Sequence, residues 1–354
     1  MSEISFQHNV AISPSPISDM NHPGAEITIC IVTYNRRADV DRALQSVYAY
    51  TSSLRVEVIV VDNQSTDGTS QFIAEKYPKV KLIYKPVNQG YTPAMNLALA
   101  QAKGDFVMPL SSDAELKPGS VEALLDFMRF HPSAGLAGPR TLDAQGQIVT
   151  TLHHRSILLS LWTEIIPVKR WLRRARLVRW ILTKVLPNSS GLTSDYFRTH
   201  RVQLIDGCGV VIRRKALDAV GLLDPLIPLG PDDYDFCHRI SRAGFEIWFV
   251  AESEIIHRTS VKEEIKNLSP LYLRLKTSVP CYLYRKYHSG LRAKLFCLSA
   301  YLLTLKLQNE AKRLWGKESE EVAALVEAAD LCLHPGRYSN EYKELWHRGF
   351  HAES

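Results

Sequence analysis

The chain has 354 residues, 45% of them hydrophobic and 23% charged, with a net charge of +6. That composition fits one large α/β domain or two ordinary ones, excludes a mostly disordered chain, and permits an anionic substrate or surface without demanding nucleic acid. No apolar run reaches the ~18–20 residues that cross a bilayer, and the six cysteines contain no C-x-x-C pair, as expected of reduced thiols.

Residues 1–25, rich in Ser, Pro and Asn, read as a flexible leader, and the opening MSEISFQHNV lacks the basic and apolar regions of a secretory signal. From residue 27 the pattern becomes regular. Strands are expected at 27–32, 56–61, 80–84 and 106–110, and helices at 37–50, 71–76, 93–103 and 121–130. Such alternation implies a mostly parallel sheet covered by helices on both faces. In these sheets ligands bind beyond the carboxyl ends of the strands. Three polar segments fall there: Thr33-Tyr34-Asn35, the run 62–68 (DNQSTDG) and Ser111-Ser112-Asp113. Any one of them is ordinary turn chemistry; three on one sheet edge point to a site.

Residues 155–190 differ in character. The span 169–184 holds seven Lys or Arg and no acid, interleaved with Trp171 and Trp180. A basic amphipathic insertion of this kind suits an anionic membrane surface, and the alternative is a core helix with a solvated basic face. Beyond it, a strand is expected over 203–212, a helix over 232–243 closed by Gly244, and another strand over 246–250. Residues 261–354 read as a C-terminal helical region, helical over 271–331.

Two constellations can carry chemistry. Asp113 follows a strand, where a carboxylate can hold a hard divalent cation (Mg or Mn) with a diphosphate completing the shell. A helix cap is its simpler role. Asp232, Asp233 and Asp235 open a helix, where acids favour the helix dipole; adjacent carboxylates also raise one another's proton affinity, which suits a general base. His257 follows one strand later, as a core histidine or as a metal or diphosphate contact.

The strings ICIVTYNR, VIVVDNQSTDGT, VNQGYTPAMNLALAQAKGDFVMPLSSDAEL and IDGCGVVIRRKALDAVGLLDPLIPLGPDDYDFCHRISRAGFEIWFVAESEIIH occur in order over residues 26–140 and 203–260. In this they resemble family 2 glycosyltransferases of the GT-A fold, most closely the rhamnosyltransferase-like branch. The resemblance implies a transferase domain over 26–260. It implies nucleotide-sugar contacts at Thr33, Tyr34, Asn35, Asp62, Asn63, Ser65, Asn88, Gly90, Asn96, Ser112 and Asp113. On the acceptor side it implies Gly207, Cys208, Gly209, Asp232 and Asp235, with Asp233 as the catalytic base. Asp113 and His257 would hold the cation. Two departures stand out: Ser111 replaces the first acid of the metal motif, and Asp232-Asp233 stands where the family has Glu-Asp. The implied reaction is inverting transfer from a nucleotide-diphosphate sugar, dTDP-rhamnose by the branch resemblance, to a surface-polysaccharide or polyprenyl-diphosphate-linked glycan. Such an enzyme is expected on the cytoplasmic face of the membrane, with no nucleic-acid partner. A nucleotidyltransferase would start with a Gly-rich phosphate loop, which TYNRRADV lacks, and a non-catalytic binding module would be expected to lack Asp233.

Overall fold

The computed structural model describes residues 24–149, 151–153, 196–228, 231–258, 270–314, 316, 319–334 and 337–338. The basic insertion at 155–190 and the leader, but for its last two residues, lie outside them.

The first half is a run of strand and helix units: β1 (Ile27–Thr33), α1 (Arg37–Tyr50), β2 (Val56–Asp62), α2 (Thr69–Lys76), β3 (Lys81–Tyr84), α3 (Tyr91–Gln101) and β4 (Phe106–Ser111). β2 and β4 flank β1 in parallel, with Thr33 beside Asp62 and Val32 beside Ser111, while β3 continues the sheet with Tyr84 beside Asp62. All four strands therefore end at one edge. β1, β2 and β4 are largely apolar along both faces, as strands covered on both sides must be, whereas β3 at the sheet edge is only partly buried. Ile27, Ile29 and Ile31 pack toward Val40, Ala43, Leu44 and Val47 of α1. Cys30 and Val32 pack toward Ala94, Met95, Ala98 and Leu99 of α3. The helical spacing of each set puts its apolar side chains on one stripe.

The second half adds β5 (Ala114–Leu116), α4 (Ser120–Phe130), β6 (Ala134–Leu142), β7 (Leu152–His153), β8 (His200–Val202), β9 (Leu204–Ile205), β10 (Val211–Arg213), α5 (Arg214–Val220), α6 (Asp232–Arg242) and β11 (Glu246–His257). The large sheet runs β3-β2-β1-β4-β10-β6-β11-β5, with β8 on β11, and β7 pairs with β9 separately. β10 is antiparallel to both β4 and β6, while β11 is parallel to β6. The sheet is thus parallel in its first half and mixed beyond β4.

Two sequence expectations need correction here. The strand expected over 203–212 is split into β9 and β10, with β8 just before them. Between β9 and β10 the chain passes from the two-stranded sheet to the large one, where Gly209 takes φ +71° and gives its N–H to the carbonyl of Pro109 on β4. The strand expected over 246–250 continues to His257 through an irregularity between Val250 and Glu254. Ile247 and Phe249 join the core cluster that includes α3, whereas Val250 and, beyond the irregularity, Ile255 join the one that includes α1.

Among the described residues three helices follow: α7 (Pro270–Tyr287), α8 (Gly290–Leu314) and α9 (Glu320–Leu333). They converge on Cys281, Phe296, Cys297, Ala300 and Cys332, a small core of their own. Among the described residues no helix is long and apolar enough to cross a membrane.

Candidate active site

The site begins at the shared edge of β1, β2 and β4. Asp62 is fully buried. Its carboxylate accepts the N–H of Ser65 at 2.8 Å and the hydroxyl of Ser70, so the loop after β2 wraps around it. Asn35 and Gln64 both take left-handed backbone conformations, φ 49° and 75°. Neither is glycine, so each turn costs energy that its contacts must offset. Asn35 is held by Ser65 Oγ, which accepts its N–H at 2.9 Å, and by the N–H of Thr66, which donates to its Oδ1 at 2.7 Å. Gln64 Oε1 accepts the N–H of Asn88 at 2.9 Å. Asn63 then donates to Asn88 Oδ1 at 2.7 Å and to the carbonyl of Gly90 at 3.1 Å. Thr33-Tyr34-Asn35, Asp62-Asn63, Ser65, Asn88 and Gly90 are therefore brought into one interlocked rim.

Asn96 takes a different position. Its amide exchanges two hydrogen bonds with the backbone of Leu223, at 2.8 and 2.9 Å, and so pins the 221–228 segment to α3. Among the described residues three buried polar atoms along the rim have no hydrogen-bond partner: Thr33 Oγ1, Asn63 Oδ1 and Lys85 Nζ. Lys85, one residue past β3, was not singled out by the sequence. It is 6% exposed, and burial pushes its ammonium down to about 8.

The next group lies beyond β4. The ladder of β5 against β11 pairs Ala114 with His257, and this brings His257 Nε2 to 3.2 Å from Asp113 Oδ1 across 144 residues. Arg36 Nη1 stands 3.6 Å from the other carboxylate oxygen, and the N–H of Arg258 donates to the Asp113 carbonyl at 3.1 Å. Ser112 is buried beside them. One carboxylate and one imidazole facing each other fit a divalent cation that takes the rest of its shell from diphosphate oxygens and water. Among the described residues no cluster of three or more such ligands occurs.

The 206–210 segment crosses from this group to the acidic start of α6. Cys208 hydrogen-bonds Ser111 and lies in the field of both Asp113 and Asp233; burial, with those charges added, pushes its thiol up to about 12. Gly207 is required next: a Cβ there would sit 2.3 Å from Asp233 Oδ1. Its N–H donates to Asp233 instead. Burial, then the charges of Asp232 and Asp206, raise Asp233 well above the usual carboxylate range against that hydrogen bond. Burial lifts Asp232 to about 7, with Asp235 and Asp206 adding to it. Tyr91, at the start of α3, is also raised by burial and by these two acids. Asp235 behaves oppositely. Burial would raise it, but Arg239, Lys286 and Tyr287 outweigh burial and hold it low. Asp206, Tyr91, Arg36 and Lys85 are the site residues that sequence reasoning passed over. Asp206 could have been found as the acid opening the string IDGCG; the other three had no such signal.

Residues 28–221 match the profile of Glycosyl transferase family 2, and the chain belongs to that family. It is 27% identical over 242 residues to the N-acetylglucosaminyl-diphospho-decaprenol L-rhamnosyltransferase of Mycobacterium tuberculosis, covering 65% of this chain and 75% of that one. It is 30% identical over 112 residues to the succinoglycan biosynthesis protein ExoO of Rhizobium meliloti, covering 30% of this chain and 32% of that one. Among solved structures it shares the GT-A fold of the mannosyltransferase PcManGT from Pyrobaculum calidifontis, solved with GDP-Man and Mn2+, at TM-score 0.50, 16% identity and coverage of 88% and 87%. The S. aureus TarS 1-349 structure with UDP-GlcNAc matches at TM-score 0.50 and 14% identity, covering 91% and 92%.

The Lys85 ammonium disfavours the folded state wherever it is charged. Its folded pKa lies below the unfolded value, so the handicap is full below about pH 8 and shrinks as pH rises toward the unfolded lysine value. Lys85→Met is expected to stabilise the protein by about 1 kcal/mol or more at pH 7. The gain should fade above pH 9 in urea denaturation series.

Proposed function

We propose that the chain is an inverting transferase that moves a sugar, rhamnose from dTDP-rhamnose, onto a polyprenyl-diphosphate-linked glycan. The observation that carries this reading is the Asp233 carboxylate, raised in pKa and seated against Gly207, at one end of a segment whose Cys208 also lies in the field of Asp113. A base and a leaving-group anchor at the two ends of one short segment suit a single in-line displacement.

In this reading the nucleoside lies on the rim of Thr33, Tyr34, Asn35, Asp62, Asn63, Ser65, Asn88 and Gly90. The unmatched Thr33 Oγ1 and Asn63 Oδ1 can take its hydrogen bonds, and Lys85 Nζ can pair with a carbonyl or phosphate oxygen. Asn96 acts from behind by holding the 221–228 segment. Asp113 and His257 would hold a divalent cation, which when bound supplies charge stabilisation to the departing diphosphate. Arg36 adds a second positive charge beside it. The acceptor hydroxyl reaches the sugar along Gly207 to Gly209, and Asp233 takes its proton as the hydroxyl oxygen bonds the anomeric carbon. One displacement inverts that carbon and needs no covalent glycosyl-enzyme. The choice of donor and of lipid-linked acceptor rests on the rhamnosyltransferase relative, whose name states both a rhamnosyl transfer and a diphospho-decaprenol acceptor. The transferase domain is taken as 26–260 and the helical appendage as 261–354. The basic insertion at 155–190 would hold the enzyme on the cytoplasmic face of an anionic membrane, next to such an acceptor.

Three outcomes check the reading. Asp233→Asn should lower kcat by about 10²–10⁴-fold while donor affinity is kept, and near-normal turnover would remove Asp233 from the base role. A base acts only when ionised, so the rate should rise with pH, with its acid limb above the ordinary carboxylate range. Removing a like-charged neighbour eases ionisation, so Asp206→Asn should move that limb to lower pH.

In calorimetry, one class among dTDP-, UDP- and GDP-sugars should bind more tightly with Mn2+, and Asp113→Asn should abolish the metal's contribution. Metal-independent binding of equal strength would overturn the cation's place. For the membrane role, a variant with Arg173, Arg174 and Arg176 changed to Gln should lose sedimentation with anionic vesicles. Sedimentation equal to wild type would remove that role.

A further inference from the structure

Past residue 221, where the family match ends, the last turn of α7 reaches the acidic start of α6. Lys286 Nζ donates to Asp235 Oδ1 at 2.6 Å and to Asp224 Oδ2 at 2.7 Å. Tyr287 donates its hydroxyl to the same Asp235 oxygen at 2.5 Å, and Tyr282 donates to Asp224 at 2.9 Å. Arg239, one turn further along α6, closes the other Asp235 oxygen at 2.7 Å. Asp235 is fully buried. Its two oxygens thus face three donors, two of them cationic, and hold α6 and α7 together.

Asp224 belongs to the loop that leads into α6. That loop is pinned to α3 on its other side, through Leu223 to Asn96 and through the carbonyl of Pro228, which accepts the N–H of Tyr91 at 3.0 Å. Tyr338 adds a third tie by donating to the carbonyl of Leu226 at 2.8 Å. Lys286 is therefore a strut: one ammonium joins the loop before the acids to the helix that carries them.

We propose that Lys286 and Tyr287 are positioning residues of the transferase site, which fix the start of α6 through Asp235 and balance the charge around Asp232 and Asp233. The catalytic consequence rests on the reading of Asp233 as the base. The charged and titratable groups that face the acid pair are Asp206 from the crossing segment, Asp235 from α6 itself, Tyr91 from α3, and the thiols of Cys208 and Cys237. Those that face Asp235 are Asp232, Arg239 and His238 from α6, Tyr282, Lys286 and Tyr287 from α7, and Asp224 across the shared Lys286. The cations offset one carboxylate among four. Removing a cation should hinder ionisation of the acid pair, and removing Asp235 should ease it. The two ends of one ion pair thus have opposite signs, which loss of packing would not produce.

The test uses the full chain with aspartate carboxyl carbons labelled by ¹³C, titrated by NMR, with Asp232→Asn and Asp233→Asn to assign the pair. Lys286→Met should move the pair's titration up by about half a pH unit or more, and Asp235→Asn should move it down. Lys286→Arg should restore the wild-type midpoint. No displacement, or displacements of one sign in both variants, would overturn the proposal. Should Lys286→Met fail to fold, Tyr287→Phe, which keeps both cations, decides with a smaller upward displacement against none. The titration needs neither donor nor acceptor, so it judges the strut whatever the reaction is. Turnover with dTDP-rhamnose judges the reaction separately: the Lys286→Met enzyme should lose kcat with donor KM kept. A wild-type chain inert toward every nucleotide sugar would defeat the reading of function and leave the NMR signs standing.

Discussion

Parallel strands are hydrogen-bonded evenly along their length, and β1 is held this way on both sides, against β2 and against β4. A slip of one residue would carry Ile27, Ile29 and Ile31 away from α1 and force Cys30 and Val32 into their place. Two covered faces make that slip prohibitive, so the ends of β1, β2 and β4 are locked level. The level edge is what sets Thr33 beside Asp62 and lets the loop after β2 close over the loop after β1. Every other site feature is reached from this edge: Ser111 through β4, Cys208 through its bond to Ser111, and Asp233 through Gly207. The chemistry is arranged sideways from a register fixed by aliphatic packing.

The parts legible in the sequence were those governed by local periodicity. Helix α1 was expected over 37–50 and lies there, because its apolar residues repeat with helical spacing between two polar loops. The parallel strands were found to within a residue or two, since doubly covered strands are continuous apolar runs. The strand-end loops were found by the same logic. Harder to read were features set by long-range geometry. Nothing local to 203–212 announces that the chain must pass from the β7–β9 pair to the large sheet opposite Pro109. The 251–257 half of β11 is broken by Glu252, Ser253 and Glu254, so its strand character comes from pairing with β5 and β6 rather than from its own pattern.

Site residues divide in the same way. The pairing of Asp113 with His257 was expected from the family resemblance, and the β5–β11 ladder gives it a physical basis. Asn96 and Asp235 were expected at the ligand, and the polar atoms of both also hold protein segments in place. A motif names residues that matter without separating those that touch a substrate from those that hold a neighbour in place. Lys85 and Arg36 are the reverse case. Surface lysines and arginines are so common that only burial, or the nearness of a carboxylate, sets these two apart.

The irregularity in β11 has a consequence for how this chain can vary. A strand shows alternate residues to opposite faces, so regular pairing would put Ile255 on the face of Ile247 and Phe249. The unpaired residues between Val250 and Glu254 reverse that parity, which places Ile255 in the α1-side core and sets the phase of His257 two residues on. Gaining or losing a single residue in 251–253 would exchange the faces again and turn the imidazole away from Asp113. Length changes in this segment are therefore tolerable only in pairs, and an alignment of active relatives should show even-numbered gaps there or none.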